Sequence, residues 1–340
     1  MQKKKGGQSV IFQYPVTIKS TASIVGPKEG QGPLRDYFDL TLDDVMAGQK
    51  TWEKAESKIV EDAMNLAVKN SGFDNSHIDF VIAGDLLNQS TATTFGVMGM
   101  KIPLFGIFGA CSTFGEGLGL GAMLIDGGFA KNVLVGASSH FCSAERQFRS
   151  PLELGGQRPP TASWTVTGAG CAVLSNAGEK PYITGFTAGR VIDMGITDAN
   201  NMGAAMAPAV VDTLVNHFKD FNRNPAYYDV IATGDLGYIG HELVVRLMSE
   251  EGFNMSENYT DCGIQIFDRE TQDTHVGGSG CGCSASAFSG YYYKKIKQGE
   301  IKSMLLIPTG ALLSQTSQQQ GSNIPGIAHA VVIESSRQDR

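Results

Sequence analysis

The sequence predicts an α/β protein built from two related halves, and three observations carry that prediction. A segment repeats: Asp79-Phe80-Val81-Ile82-Ala83-Gly84-Asp85-Leu86 returns as Asp229-Val230-Ile231-Ala232-Thr233-Gly234-Asp235-Leu236, with Asp, Gly, Asp and Leu in the same places. An amphipathic helix precedes each copy. A small-residue turn, a helix and an unbroken apolar strand follow each copy, so both halves read β-α-β.

In the first half, Trp52, Ala55, Ile59, Ala63, Leu66 and Ala67 share one helical face, with Thr51 as N-cap and Gly72 as the stop. The turn Gly109-Ala110-Cys111-Ser112-Thr113-Phe114-Gly115 then opens a helix. In it Gly115 and Gly119, and Gly117 and Gly121, sit one turn apart. Glycine there lowers helix propensity but admits very close neighbours, which predicts a central, buried helix. Asn132-Val133-Leu134-Val135-Gly136-Ala137 lacks alternation and reads as a strand buried on both faces.

A short polar turn, Asn176-Ala177-Gly178-Glu179-Lys180-Pro181, divides the chain into halves 1–178 and 179–340. In the second half Met206, Val210, Val211, Leu214, Val215 and Phe218 form the helical stripe, ended by Asn222 to Pro225. Cys281-Gly282-Cys283-Ser284-Ala285-Ser286-Ala287 is the second small-residue helix start, and Met304 to Ala311 the second buried strand. Strand ends and helix N-termini from both halves should surround one crevice, where ligands bind in such sheets.

Composition narrows the function. Of 340 residues, 42% are hydrophobic and 18% charged, which fits a compact chain rather than a disordered one. A net charge of −7 argues against a general nucleic-acid partner, which needs a basic face. Lys3, Lys4 and Lys5 are followed by Gly6, Gly7, Gln8 and Ser9 instead of an apolar core, so no signal peptide is read. The three lysines are either a weak contact to anionic lipid or a mobile tail. The longest apolar stretches, near 101–110 and 304–313, fall short of the ~20 residues that span a bilayer, so any membrane association is expected to be peripheral.

The six cysteines lack a disulfide spacing, and reduced thiols in a cytosolic compartment are expected. Cys281 and Cys283 form a CxC pair without a second ligand pair, so small buried residues are expected rather than a metal site. His241-Glu242 begins like a zinc-protease helix, but Val245 stands where the second His belongs.

The Gly109-Ala110-Cys111-Ser112 helix start, the strand Thr167-Gly168-Ala169-Gly170-Cys171-Ala172-Val173 and the duplication together resemble the thiolase and ketoacyl synthase superfamily over nearly the whole chain. The resemblance implies a thiolase fold, two α/β halves in five layers (αβαβα), and a homodimer. In those enzymes the Cys matching Cys111 is the acylated nucleophile, activated by its helix N-terminus and by His/His or His/Asn partners from the second half. A helix N-terminus favours a thiolate. The partner positions fall near Gly234-Asp235 and at Cys283 or Ser284, none of which supplies an imidazole or an amide. His241 and His275 lie several residues from the required places. The polar stretch Gln315 to Ser322 stands where the enzymes carry a Gly-rich oxyanion loop, and reads instead as a lid or a partner-binding loop.

More narrowly, the run from Phe108 to Trp164, with Val135-Gly136-Ala137-Ser138-Ser139-His140-Phe141, Glu145-Arg146-Gln147-Phe148-Arg149 and Pro151-Leu152-Glu153, resembles a sporulation family of spore-forming bacteria. That resemblance implies binding of dipicolinic acid, alone or with calcium, for uptake into developing spores and release at germination. It also implies a place at the spore inner membrane beside other membrane proteins of the same transport complex. No cofactor is expected. Two alternatives stand: an acyl-transfer or condensing enzyme using Cys111, and an assembly subunit of a membrane channel with a vestigial pocket.

The candidate ligand-binding residues are Cys111, Asp85, Asp235, Cys283, Ser284, His140 and Ser163. Cys111 is either a reactive thiol or a small packing residue. Helix N-termini at Cys111 and at Cys283-Ser284 suit carboxylates. Asp85 and Asp235 either approach a ligand-borne calcium or cap their own turns. His140 either lines the crevice and titrates near neutrality or is a satisfied core histidine. Arg146, Arg149 and Arg158 clamp carboxylates or decorate a loop. Ser163, Trp164 and Thr165 offer a polar edge and an aromatic wall, or core packing.

Overall fold

The computed structural model describes residues 3–148, 158–255 and 257–336. Arg149 and the segment Pro151-Leu152-Glu153 lie outside the described residues. In chain order the first half contains β1 (Lys4–Lys5), β2 (Ser9–Val25), β3 (Leu40–Thr41), α1 (Trp52–Ser71), β4 (Phe80–Gly84), α2 (Thr91–Val97), β5 (Leu104–Gly106), α3 (Thr113–Asp126), β6 (Asn132–Ser139), α4 (Phe141–Phe148), β7 (Trp164–Thr165) and β8 (Gly168–Ser175). The second half contains β9 (Tyr182–Thr187), α5 (Met202–Phe221), β10 (Val230–Thr233), α6 (Gly237–Glu250), β11 (Tyr259–Asp261), α7 (Cys262–Ile266), β12 (Gly278–Ser279), α8 (Cys281–Ala287), α9 (Tyr293–Gln298), β13 (Ser303–Ile307), β14 (Thr309–Ala311), α10 (Gln315–Gln319), β15 (Gly326–Ala328) and β16 (Ala330–Glu334).

The duplication is written in the sheet order. From the centre outward the first half runs β2-β8-β6-β4-β5 and the second β9-β16-β13-β10-β11. Strand directions match as well: β4 is parallel to β6 and β10 to β13, whereas β6–β8 and β13–β16 are antiparallel. One strand joins the two series. The first part of β2 pairs with β9 and its later part with β8. Nothing in the sequence reading gave residues 9–25 this central place, because Pro15 and a run of Ser and Thr hide the apolar positions. The lysines ahead of it are not a mobile tail. Lys4 and Lys5 pair with β2, and Lys3 Nζ lies 3.1 Å from the Asp126 carboxylate.

The helices form layers around these strands. On the outside α1 packs on β2, β8 and β6, while α5 packs on α6, β14 and β15. Between the two strand series run α3 and α8. The glycine pairs in α3 explain how it fits there. A Cβ on Gly117 would meet Val135 at 2.7 Å, and one on Gly121 would meet Leu174 at 2.9 Å, both in the first half. On Gly119 it would meet the Phe186 ring at 2.3 Å, and on Gly115 Pro308 at 2.9 Å, both in the second half. Thus each pair faces one sheet. Residue Gly170 does the same for α8, since its Cβ would fall 2.1 Å from the Ala285 carbonyl. These contacts make the αβαβα order of a thiolase fold.

Local signals also match. Thr51 Oγ1 accepts from Lys54 N, and Gly72 closes α1 with φ of 76°. Asn222 closes α5 in the same left-handed conformation.

Candidate functional site

The chain reaches the site through a strained elbow. Ala110 has φ of 49°, a conformation that costs a non-glycine residue roughly 1–2 kcal/mol. Three contacts hold it: Ser112 Oγ donates to Gly109 O (2.6 Å), Thr113 Oγ1 to Ala110 O (2.6 Å), and Cys281 Sγ to Ala110 O (2.9 Å). The bend places Cys111 just ahead of α3, at the wall of a small cavity.

That cavity has a volume of 40 Å³, room for roughly three water molecules. Its walls include Leu86, Phe108, Ala144, Glu145, Phe148, Thr165, Met202, Ser279, Ala311 and Leu313 around Cys111. It adjoins a wider vestibule of 330 Å³, which shares Leu86, Phe108, Phe148 and Leu313 and adds Asn88, Gln89, Ser90, Gln147, Ser314, Gln315 and Thr316. Gln89 and Ser90 both have positive φ, so the vestibule rim is itself strained. Among the described residues neither lining includes a Lys or an Arg.

Behind Cys111 stands Asp235. Its Oδ2 accepts from Ser279 Oγ and from Gly280 N, each at 3.0 Å, and its Oδ1 accepts from Thr309 Oγ1. The Cys111 thiol lies close enough to this carboxylate for the two to interact. Burial pushes Asp235 up to about 6. Burial first, and then the Asp235 and Cys281 charges, push the Cys111 thiol well above its ordinary value. This reverses the expectation that the helix start favours a thiolate: a carboxylate and desolvation outweigh the helix end.

Of the seven residues singled out in the sequence, Cys111 lines the cavity and Asp235 supports it from behind. Asp85 is buried and caps its own loop, accepting from Leu87 N (2.8 Å) and Thr93 N (2.7 Å). Cys283 is fully buried, and its Sγ donates to Gly234 O (3.3 Å). Ser284 is buried in α8. The facing position read as Cys283 or Ser284 is therefore corrected to Cys281, because α8 begins directly after Gly280, whose φ is 99°. His140 is fully buried, with Nε2 2.7 Å from Val45 O and Nδ1 accepting from Cys142 N. Burial lowers its pKa, which favours the neutral ring. Ser163 is buried and outside the cavity lining, whereas Thr165, two residues on, lines it. Arg146 pairs with Glu53, and Arg158 with Asp273.

Other histidines are engaged elsewhere. His241 stacks on Tyr259, His275 pairs with Asp273, and His217 bridges Thr187 and Tyr228. All six cysteines are free, as the spacing predicts. Leu86, Phe108, Ala144, Phe148, Met202, Ala311 and Leu313 were missed as site residues, since apolar side chains carry no chemical signature in a sequence. The polar stretch after β14 was noticed, and through Ser314, Gln315 and Thr316 it forms one wall of the vestibule.

A family model described as stage V sporulation protein AD matches residues 6–334. The chain belongs to the stage V sporulation protein AD family. It is 44% identical over 332 residues to the family's protein in Bacillus subtilis (strain 168), covering 98% of both chains. Solved structures confirm the fold at much lower identity. Human mitochondrial 3-ketoacyl-CoA thiolase in complex with CoA matches with a TM-score of 0.58 at 13% identity, over 96% of this chain and 99% of that one. Cerulenin-bound OleA of Xanthomonas matches at 0.60 and 15%, over 95% and 97%. The 3-oxoacyl-[acyl-carrier-protein] synthase III of Aquifex aeolicus VF5 matches at 0.55 and 14%, over 94% and 99%. These three are enzymes; for this sporulation family the likeness establishes the thiolase fold.

Proposed function

We propose that this sporulation protein binds a small ligand reversibly at the Cys111 cavity and its vestibule, and does not form carbon–carbon bonds there. The observation that carries the reading is Asp235 beside Cys111: a carboxylate whose negative charge keeps the thiol protonated, where condensing chemistry needs an imidazole or amide that stabilises negative charge. A protonated, buried thiol is a poor nucleophile.

The ligand we propose is dipicolinic acid, taken up into developing spores and released at germination. Its ring is too large for the inner cavity and sits in the vestibule between Phe108 and Phe148. A bare dianion suits this site poorly, because among the described residues no cation lines it and Glu145 lines the adjoining inner cavity. The calcium chelate, which has no net charge, suits it better, and the amide and hydroxyl groups of Asn88, Ser314 and Thr316 complete its surroundings. Calcium then arrives with the ligand, as no described group of His, Cys, Asp or Glu forms a metal site.

Calorimetric titration with dipicolinate, with and without equimolar calcium, tests this. Saturable binding that calcium strengthens and that Thr316→Phe, in the vestibule wall, abolishes is expected. No binding in either condition refutes the ligand and favours the assembly-subunit alternative.

The site works beside partner proteins at the spore inner membrane in this reading, and no described helix is long and apolar enough to cross it. We also propose a homodimer formed along β5. Among the described residues that strand pairs with β4 alone, and Phe105 on it is 50% exposed, with Phe95 and Phe108 of similar exposure. Sedimentation should show a dimer that Phe105→Glu dissociates; a monomeric wild type contradicts this.

A further inference from the structure

Away from the Cys111 cavity, two cations converge on one indole. Trp164 stacks on Phe141 with centroids 3.7 Å apart. Lys28 Nζ lies 4.1 Å from the Trp164 ring centroid and Arg158 Cζ 4.7 Å from it. Arg158 spends one arm locally: Nη2 donates to Asp273 O (2.8 Å) and reaches its carboxylate at 3.3 Å. Its other arm, Nη1, is buried with no partner.

The negative charge nearby does not balance the pair. Asp273 is shared with His275, 3.1 Å away. Glu29 is buried, accepts from Thr167 N, and is pushed up to about 7, so it is only partly ionised at neutrality. Burial and the Arg158 charge both lower the Lys28 pKa. Two adjacent cations with unused donors are costly unless an anion bridges them.

We infer that Lys28 and Arg158, carried on the Trp164–Phe141 stack, form a second ligand site that takes a small anion with paired charged oxygens, a dicarboxylate or a phosphate. A guanidinium arm offers a directional donor and the ammonium an adjustable one, which suits two oxygens on one centre or on neighbouring carboxylates. This site is distinct from the cavity, whose lining contains none of these four residues. It is linked to it through β7, where Trp164 adjoins the cavity residue Thr165.

The chain has two tryptophans, so Trp52→Phe leaves Trp164 as the only indole reporter. Its emission should change saturably on titration with inorganic phosphate or with malonate, against sodium chloride at matched ionic strength. The anion that binds more tightly tells phosphate from dicarboxylate. Adding Lys28→Ala should weaken the response about tenfold, as expected for loss of one charged hydrogen bond. Lys28 is partly exposed, so that variant should keep its melting temperature. The vestibule-filling Thr316→Phe should leave the response intact, which separates this site from the proposed dipicolinate site. A response that merely follows ionic strength, or one unchanged by Lys28→Ala, would overturn the inference.

Discussion

The two halves use the same residues in two ways. At the start of the repeat Asp79 and Asp229 do identical work: Asp79 Oδ2 accepts from Lys131 N and Asn132 N, and Asp229 Oδ2 accepts from Lys302 N and Ser303 N. At the end of the repeat the jobs diverge. Asp85 closes its own loop, while Asp235 reaches across to Ser279, Gly280, Thr309 and the Cys111 thiol. Duplication thus preserves the aspartates that tie strands together and releases those that face the crevice. The site is asymmetric although the scaffold is not.

The scaffold side of this contrast carries the largest expected effect. Gly170→Ala should cost about 3 kcal/mol or more, because the new Cβ collides with the backbone of α8 rather than with a movable side chain. Chemical denaturation measures it; a loss under 1 kcal/mol would mean that α8 is not seated on β8 as described.

Next come the two diverged aspartates. Asp85→Ala leaves the Leu87 and Thr93 amides unpaired and should cost about 2 kcal/mol, with no change in Cys111 reactivity. Asp235 should differ through pH. Folded, it holds its proton up to about 6, above the ordinary aspartate value of 3.8. Between those values the folded state binds more protons than the unfolded one, so stability falls as pH rises through about 4 to 6. The loss approaches roughly 3 kcal/mol at ~1.4 kcal/mol per unit and is complete above that window. Melting curves should therefore show a steeper decline across pH 4 to 6 in wild type than in Asp235→Asn. Glu29, pushed up to about 7, acts in the same direction in both proteins. Equal slopes would mean that Asp235 is not held protonated.

Much of the scaffold could be read in advance. Thr51, Gly72 and Asn222 bound their helices by local chemistry, and the paired glycines of α3 announced a helix packed on two sides. The strand β2 could not be read, because its place depends on partners far along the chain rather than on its own pattern. The site was legible at Cys111 and invisible elsewhere. Asp235 was noticed, but its contact with Cys111 is made by packing of two halves, and the apolar cavity walls carry no motif. The two-residue error at α8 came from reading a run of small residues in which the helix start is fixed only by the conformation of Gly280.

The most direct test asks whether Cys111 acts as a nucleophile. Purified protein incubated with an acyl-CoA and analysed by intact mass should show no acyl adduct at neutral pH, with Asp235→His as the variant that restores a base beside the thiol. Stoichiometric acylation of the wild type, lost in Cys111→Ser, would contradict a binding site and return the protein to the condensing enzymes whose fold it shares.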